Sequence, residues 1–476
     1  MPRGPAAAAL AAAAVLLSPT MHGSHGDGVY PEYPGSVIYD TPASADGAGL
    51  FNHTAPLSYS QMPLGNGEIS VSLWVEAPHS IAFYVGRSDS YDELHRLIKV
   101  TRVRVRFGGL PTHPFPQDGQ DFSEVLHLQN ATVQIRGAGG FRLSAWVDAN
   151  APHLHLSAAC CTGGDGDEID FTALVTMDLM RSGSSQRSNK TSVQENGGCN
   201  IGSGYVATDV ILPSEQALGV YHRNGGTEGV YTHDSLWESE LRLQGLGSLV
   251  DNPPHGMPPD PLTNSTFGAA VVATHGQQHK PIAGWNRTTM QIDAADGVLS
   301  FGLVSRLLQT DTAAVFEKQL SADAARLKAT DLGRAYAAHE GWWERYWSQS
   351  YIRLSASTSP PLGFNASLVA WQVAIQRYLS ACEGRGPGII KFNGGIFVSP
   401  ASLLSCISLI RQPFVLHPSL SDTIPLLSRF RTPSGPAEML TRECGAAQPG
   451  CKTPEEATGQ CWAPAITSSC SRTFGG

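Results

Sequence analysis

Between residues 30 and 306 the chain alternates apolar and polar positions in short runs broken by Gly, Pro, Asn and Asp. Ile69, Val71 and Leu73 alternate with Ser70 and Ser72; residues 103–107 and 131–136 repeat the pattern. A period of two places one set of side chains toward a core and the other toward water, so each run predicts a strand. Residues 141–147 follow the third run across Gly137, Ala138, Gly139 and Gly140, which predicts a hairpin. Further strands are expected at 153–158, 170–177, 206–211, 218–222, 269–273 and 288–294. Many short strands without intervening helices predict antiparallel sheets packed face to face.

The period changes near Thr310. Ala314, Val315, Leu320, Ala324 and Leu327 in one segment, and Leu332, Tyr336, Trp343 and Trp347 in the next, recur at helical spacing. Two helices are therefore predicted over 311–329 and 331–348, followed by a short strand at 351–354. A mostly apolar helix is expected at 367–381, and its Trp371, Val373 and Ile375 find no evident partners in the residues that follow. Residues 399–476 are rich in Ser, Pro, Thr and Cys and show no sustained period.

Composition narrows this picture. The chain has 476 residues, enough for two or three domains, and only 15% are charged. A net charge of -9 supplies no basic footprint for a polyanion, so nucleic acid is not an expected partner. Arg3, the apolar run 6–17 and the small residues after it have the order of a secretory signal over residues 1–26, with an Ala-rich transit peptide as the alternative. That run of 12 residues is too short to span a bilayer. Asn52, Asn130, Asn189, Asn264, Asn286 and Asn365 each open a glycosylation sequon, in keeping with a secreted, extracellular protein. Nine cysteines leave at least one unpaired.

Several stretches then carry a resemblance. Residues 62–68, Met-Pro-Leu-Gly-Asn-Gly-Glu, resemble the opening of the N-terminal sandwich of glycoside hydrolase family 95. Residues 146–150, 220–224, 260–262 and 266–268 resemble a related family, the domain of unknown function 5703. So do His339, Trp342, Trp343, Tyr346, Trp347 and Ser350, the stretch 376–379, Gly384 to Gly386, and 391–397. The resemblance implies a mainly β fold: an antiparallel β super-sandwich over 27–306, linker helices over 307–350, and the beginning of an (α/α)6 barrel of the six-hairpin type over 351–398. It stops at Phe397. A shifted reading frame, a retained intron or a truncated chain would each account for the change of composition that follows.

Carbohydrate is the partner that the resemblance implies. Glycoside hydrolysis calls for two carboxyl groups flanking the bond, and no such pair stands out here. Glu68, Asp89, Asp92 and Glu93 lie near the strongest motif, but turn and strand-end carboxylates making local hydrogen bonds are the expected reading. Asn66 between two glycines is read first as a tight turn. Trp342, Trp343, Tyr346 and Trp347 are read as anchors packing the linker on the sandwich. Asn393 is the strongest single candidate for a sugar contact, because its amide both donates and accepts. Lys391 and Arg385 are candidates beside it, with capping of the helix end as the alternative. No cofactor is expected. No metal site is expected either: there is no Cys-x-x-Cys pair, position 343 is Trp where His-Glu-x-x-His needs histidine, and Asp165, Asp167, Glu168 and Asp170 lack the order of a calcium loop. The expectation is a secreted glycoside-hydrolase-like protein that hydrolyses or binds glycans, inactive as written, with a non-catalytic carbohydrate-binding or structural sandwich as the alternative.

Overall fold

The structure, a computed structural model, describes residues 36–39, 42, 61–93, 97–117, 119–160, 170–181, 207–225, 238, 241–252, 261–350, 352 and 366–386. All fall in one compact unit, Met1–Ile410; a second, Arg411–Gly476, lies wholly outside the described residues. Among the described residues seventeen strands form two sheets in which every pairing is antiparallel. In chain order they are β1 (Ser36–Tyr39), β2 (Met62–Gly65), β3 (Ile69–Glu76), β4 (Ser80–Tyr91), β5 (Leu97–Gly108), β6 (Ser123–His127), β7 (Thr132–Arg136), β8 (Arg142–Val147), β9 (His153–Ala159) and β10 (Thr172–Asp178). The rest are β11 (Val210–Ile211), β12 (Leu218–Arg223), β13 (Ser265–His275), β14 (Gln277–Gln278), β15 (Ile282–Ala283), β16 (Arg287–Asp293) and β17 (Val298–Gln309). One sheet runs β1-β6-β7-β8-β9-β17-β13-β12-β11; the other runs β14-β16-β10-β5-β4-β3-β2, with β15 paired to β16.

Alternation decides which residues meet between the sheets. Leu154, Leu156 and Ala158 of β9 enter a shared core with Val103, Val105 and Phe107 of β5 and Val71 and Leu73 of β3. Burying the Leu, Val and Phe side chains among them contributes on the order of 1.5–3 kcal/mol each relative to exposure. His153, His155 and Ser157 of β9 consequently face the other way, outward from the first sheet.

Three helices follow: α1 (Ala313–Lys328), α2 (Leu332–Gln349) and α3 (Ala366–Glu383). Phe316, Leu320, Ala324 and Leu327 of α1 bury themselves against Tyr221, Ala270, Val272 and Val304 on the outer face of the first sheet. Asp331 caps α2 by accepting from the Arg334 amide at 3.1 Å. Its aromatics anchor it: Trp343, Tyr346 and Trp347 are buried, and Trp347 Nε1 donates to the Leu128 carbonyl at 2.8 Å.

The third helix is packed, and two of the three side chains expected to lack partners, Trp371 and Ile375, find them. Ala374, Tyr378, Ala381 and Cys382 join the sandwich core, Ile375 packs against it, and Trp371 Nε1 donates to the Ser36 carbonyl at 3.4 Å. Tyr378 stacks on Trp343 with centroids 5.3 Å apart and donates to the Pro63 carbonyl at 2.7 Å. The partner for this helix thus comes from β2, at the far end of the sequence, and from α2. Of the strand expected at 351–354, only Ile352 is described, and it belongs to no element. Cys160 is disulfide-bonded and Cys382 is free. No helix among the described residues is long and apolar enough to cross a membrane.

Candidate functional site

Three separate stretches of the chain converge at one junction: the loop after β2, the turn between β8 and β9, and the C-terminal end of α3. Asn66 holds the first two together. Its Nδ2 donates to the carbonyls of Asp148 and Ala151 at 2.9 and 2.7 Å, and its Oδ1 accepts from the amides of Glu68 and Ile69 at 3.0 and 2.9 Å. A side chain with both ends engaged this way is a structural tie, as the turn reading expected. Gly67, at φ +87°, donates its amide to the Cys382 carbonyl at 2.6 Å. A Cβ on Gly65 would lie 2.7 Å from that same carbonyl, so α3 can end here only against glycine.

Arg385 joins the third stretch to the second. Its Nε donates to the Ala381 carbonyl at 2.8 Å and one terminal nitrogen to the Ala149 carbonyl at 3.0 Å, while the guanidinium lies 3.7 Å over the Trp342 ring. Burial lowers its pKa to about 10. These contacts make it a cap on α3 and a brace for the turn, the alternative weighed from the sequence. On the other side of the turn, His339 Nδ1 accepts from the Ala149 amide at 3.1 Å and Nε2 donates to the Asn130 carbonyl at 2.6 Å. That pattern fixes one neutral tautomer, and burial holds the pKa down at about 4.

The turn so braced presents Asp148 beside His153 and His155, with one ligand-type atom of each within 4.8 Å of the others. Asp148 Oδ1 accepts from the Asn150 amide at 2.8 Å, and burial pushes this carboxyl upward against that bond. His155 is 4% exposed, stacked on Trp146 at 4.2 Å, and neither of its ring nitrogens has a hydrogen-bond partner. Burial drives its pKa down to about 3, assisted by His153 and His339. Sequence reasoning missed this cluster; the only signal was the His-x-His step on β9, which looks like the polar half of an ordinary alternation.

The carboxylates near the first motif are already engaged. Arg87, 2% exposed, pairs with Glu68 at 3.0 Å and with Asp89 through two bonds of 2.7 and 2.9 Å. Glu93 accepts from the Ala207 amide at 3.0 Å and lies 3.1 Å from His222 Nε2, whose Nδ1 is 3.0 Å from Asp209. Arg181 closes that buried group on Asp209 at 2.6 Å. Burial opposes a charge on His222, but the bonds to Asp209 and Glu93 prevail and its pKa is raised. Asp92 is fully buried.

Of the sequence candidates, Lys391, Asn393, Asn52, Asn189 and Asn365 lie outside the described residues, as do Asp165, Asp167 and Glu168. The chain leaves the described structure toward Lys391 and Asn393 at Gly386, packed on Gly67. Asn264 and Asn286 are half-buried, and Asn264 Oδ1 accepts from Arg223 at 3.0 Å. Asn130 turns its amide nitrogen into α2, toward Tyr336 and Glu340, each at 3.2 Å.

Among solved structures the chain is similar to one described as "Putative kojibiose phosphorylase from human microbiome", at 7% identity and a TM-score of 0.40. The match covers 73% of this chain and 41% of that one, so the chain spans about two fifths of its length, and no activity is read from it. No curated protein sequence matches the chain. The model of the N-terminal domain of DUF5703, described as a domain of unknown function, matches residues 50–352, and the chain belongs to that family.

Proposed function

We propose that the chain is a secreted, glycosidase-like protein that handles carbohydrate, in which the sandwich and its helices form the scaffold and one wall of a glycan site without supplying an acid–base pair. The observation that carries this reading is the junction itself. The loop after β2, the braced turn and the end of α3 are held in one place, and the segment bearing Lys391 and Asn393 departs from it at Gly386. On this reading residues 27–306 are the sandwich domain, 307–350 the linker, and 351–398 the first part of a six-hairpin barrel, with 399–476 a separate tail. Residues 1–26 are its secretory signal. Glu68, Asp89 and Glu93 are fixed in ion pairs or buried hydrogen bonds, which suits support rather than proton transfer.

The test is to secrete the full chain from a eukaryotic host and assay it on immobilised glycans and on a panel of aryl glycosides. Binding without turnover, weakened by Asn393→Ala and Lys391→Ala, is the expected result. Turnover abolished by Glu68→Gln or Asp89→Asn would place the acid–base chemistry in the sandwich and overturn the proposal. Absence of glycan binding would favour a purely structural sandwich.

A further inference from the structure

We propose that Asp148, His153 and His155 bind a divalent transition-metal ion of the zinc class, with a fourth position open to water or a ligand oxygen. The donor set is one carboxylate and two imidazoles, which suits zinc and its first-row neighbours and is poor for calcium or magnesium. The geometry is near to closed. Three atoms all within 4.8 Å of one another have a common point no more than about 2.8 Å from each (4.8/√3), and zinc–nitrogen and zinc–oxygen bonds of about 2.0–2.2 Å need only a further inward shift of some tenths of an ångström.

A second observation points to a ligand. His155 is 4% exposed, yet both of its ring nitrogens lack a hydrogen-bond partner. A buried imidazole left this way forgoes the bonds that such groups nearly always make, and a metal would take up the lone pair of its unprotonated nitrogen. The ring is prevented from turning away by Trp146, stacked on it at 4.2 Å and 23°.

The surroundings are those of a positioned site. His153 and His155 are two apart on β9 and so share its outer face, with ring centroids 6.0 Å apart. Asp148 Oδ1 is oriented by the Asn150 amide, in the manner of an outer-sphere bond holding a ligating carboxylate. The turn carrying Asp148 is fixed by Asn66, His339 and Arg385, three residues from three other parts of the chain. His153 is half-buried, which leaves one side of the cluster approachable.

The experiment uses tag-free full chain from a secretory host, stripped with a chelator and titrated with Zn²⁺ against a chromophoric competitor. Circular dichroism confirms that each variant is folded. The wild type is expected to bind one equivalent more than His153→Ala or Asp148→Asn, or to bind that equivalent at least about ten-fold more tightly. Zn²⁺ should raise the Tm of the wild type and not of the variants. His153→Ala is the primary variant because its side chain is the least buried of the three; Asp148→Asn checks it through a different element. Co²⁺ in place of Zn²⁺ should give visible d–d absorption that both variants lose. Equal stoichiometry and affinity in the wild type and both variants, with metal held by cysteines or surface histidines only, would overturn the proposal, as would no binding. The titration is independent of glycan binding, so the two proposals fail separately.

Discussion

Gly67 and Gly386 meet main chain to main chain, and a Cβ built on either falls onto the backbone of the other. The two residues sit in resembling stretches 319 positions apart along the chain, and their contact closes α3 onto the sandwich.

Gly67→Ala is therefore expected to destabilise the protein. The added methyl both clashes with Arg385 and Gly386 and occupies a φ of +87°, so a loss of about 2–4 kcal/mol combines overpacking with left-handed strain. Urea unfolding of the full chain followed by tryptophan fluorescence measures it. An unchanged midpoint would mean that α3 does not dock here.

Trp347→Phe keeps most of the packing and removes the bond to the Leu128 carbonyl. Leaving that buried acceptor unpaired is expected to lower stability by about 1–3 kcal/mol. The check is a shift of the thermal midpoint larger than that of Trp285→Phe, a residue that is 83% exposed.

Glu124 gives a pH-dependent prediction. It is fully buried, both of its carboxylate oxygens lack partners, and burial raises its pKa from 4.5 to about 8. A raised acid contributes no penalty below the unfolded pKa; between 4.5 and about 8 the unfolded chain ionises while the folded one must keep its proton, so stability falls across that window. Glu124→Gln, neutral throughout, is expected to stabilise the protein by on the order of 1–3 kcal/mol at pH 7 and by little at pH 4. Unfolding midpoints of both forms from pH 4 to 8 would reveal the divergence, and parallel curves would sink the idea.

Glycan occupancy should differ among the sequons. Asn130 has its amide nitrogen bonded to Tyr336 and Glu340 of α2, so attachment there must precede folding or displace the helix, whereas the Asn264 and Asn286 amide nitrogens carry no such bond. Mass spectrometry of glycopeptides from secreted protein is expected to find Asn264 and Asn286 occupied and Asn130 largely bare. Full occupancy at Asn130 would show that α2 docks after modification.

Much of the sandwich was legible because β5, β7 and β9 keep one face polar, and residues such as Arg104, Arg106 and Gln134 mark the alternation. β4 and β17 were not singled out. In β17 Val304 points into the interface with α1 while Leu303 points between the sheets, so both faces are apolar and the period of two vanishes. The helices were legible from spacing and the anchoring role of Trp343 and Trp347 from their pairing. The helix-cap alternative for Arg385 was legible too, and the bonds to Ala381 and Ala149 favour it. The histidine cluster was hidden because its carboxylate comes from a turn and its imidazoles from a strand, and nothing in a spacing of five then two reports that the turn folds back.

The return of α3 to β2 has a consequence for how the protein is made. Gly67 leaves the ribosome some 320 residues before Gly386, and at 5–20 residues per second that is a wait of about 16–64 s. Through that interval β2, at the end of its sheet, lacks the helix that packs on it in the finished protein through Tyr378 and Cys382. A nascent chain in that state leaves the β2 end of the sheet without its helix, and a chaperone that shields it until synthesis passes residue 386 would protect the step most prone to association.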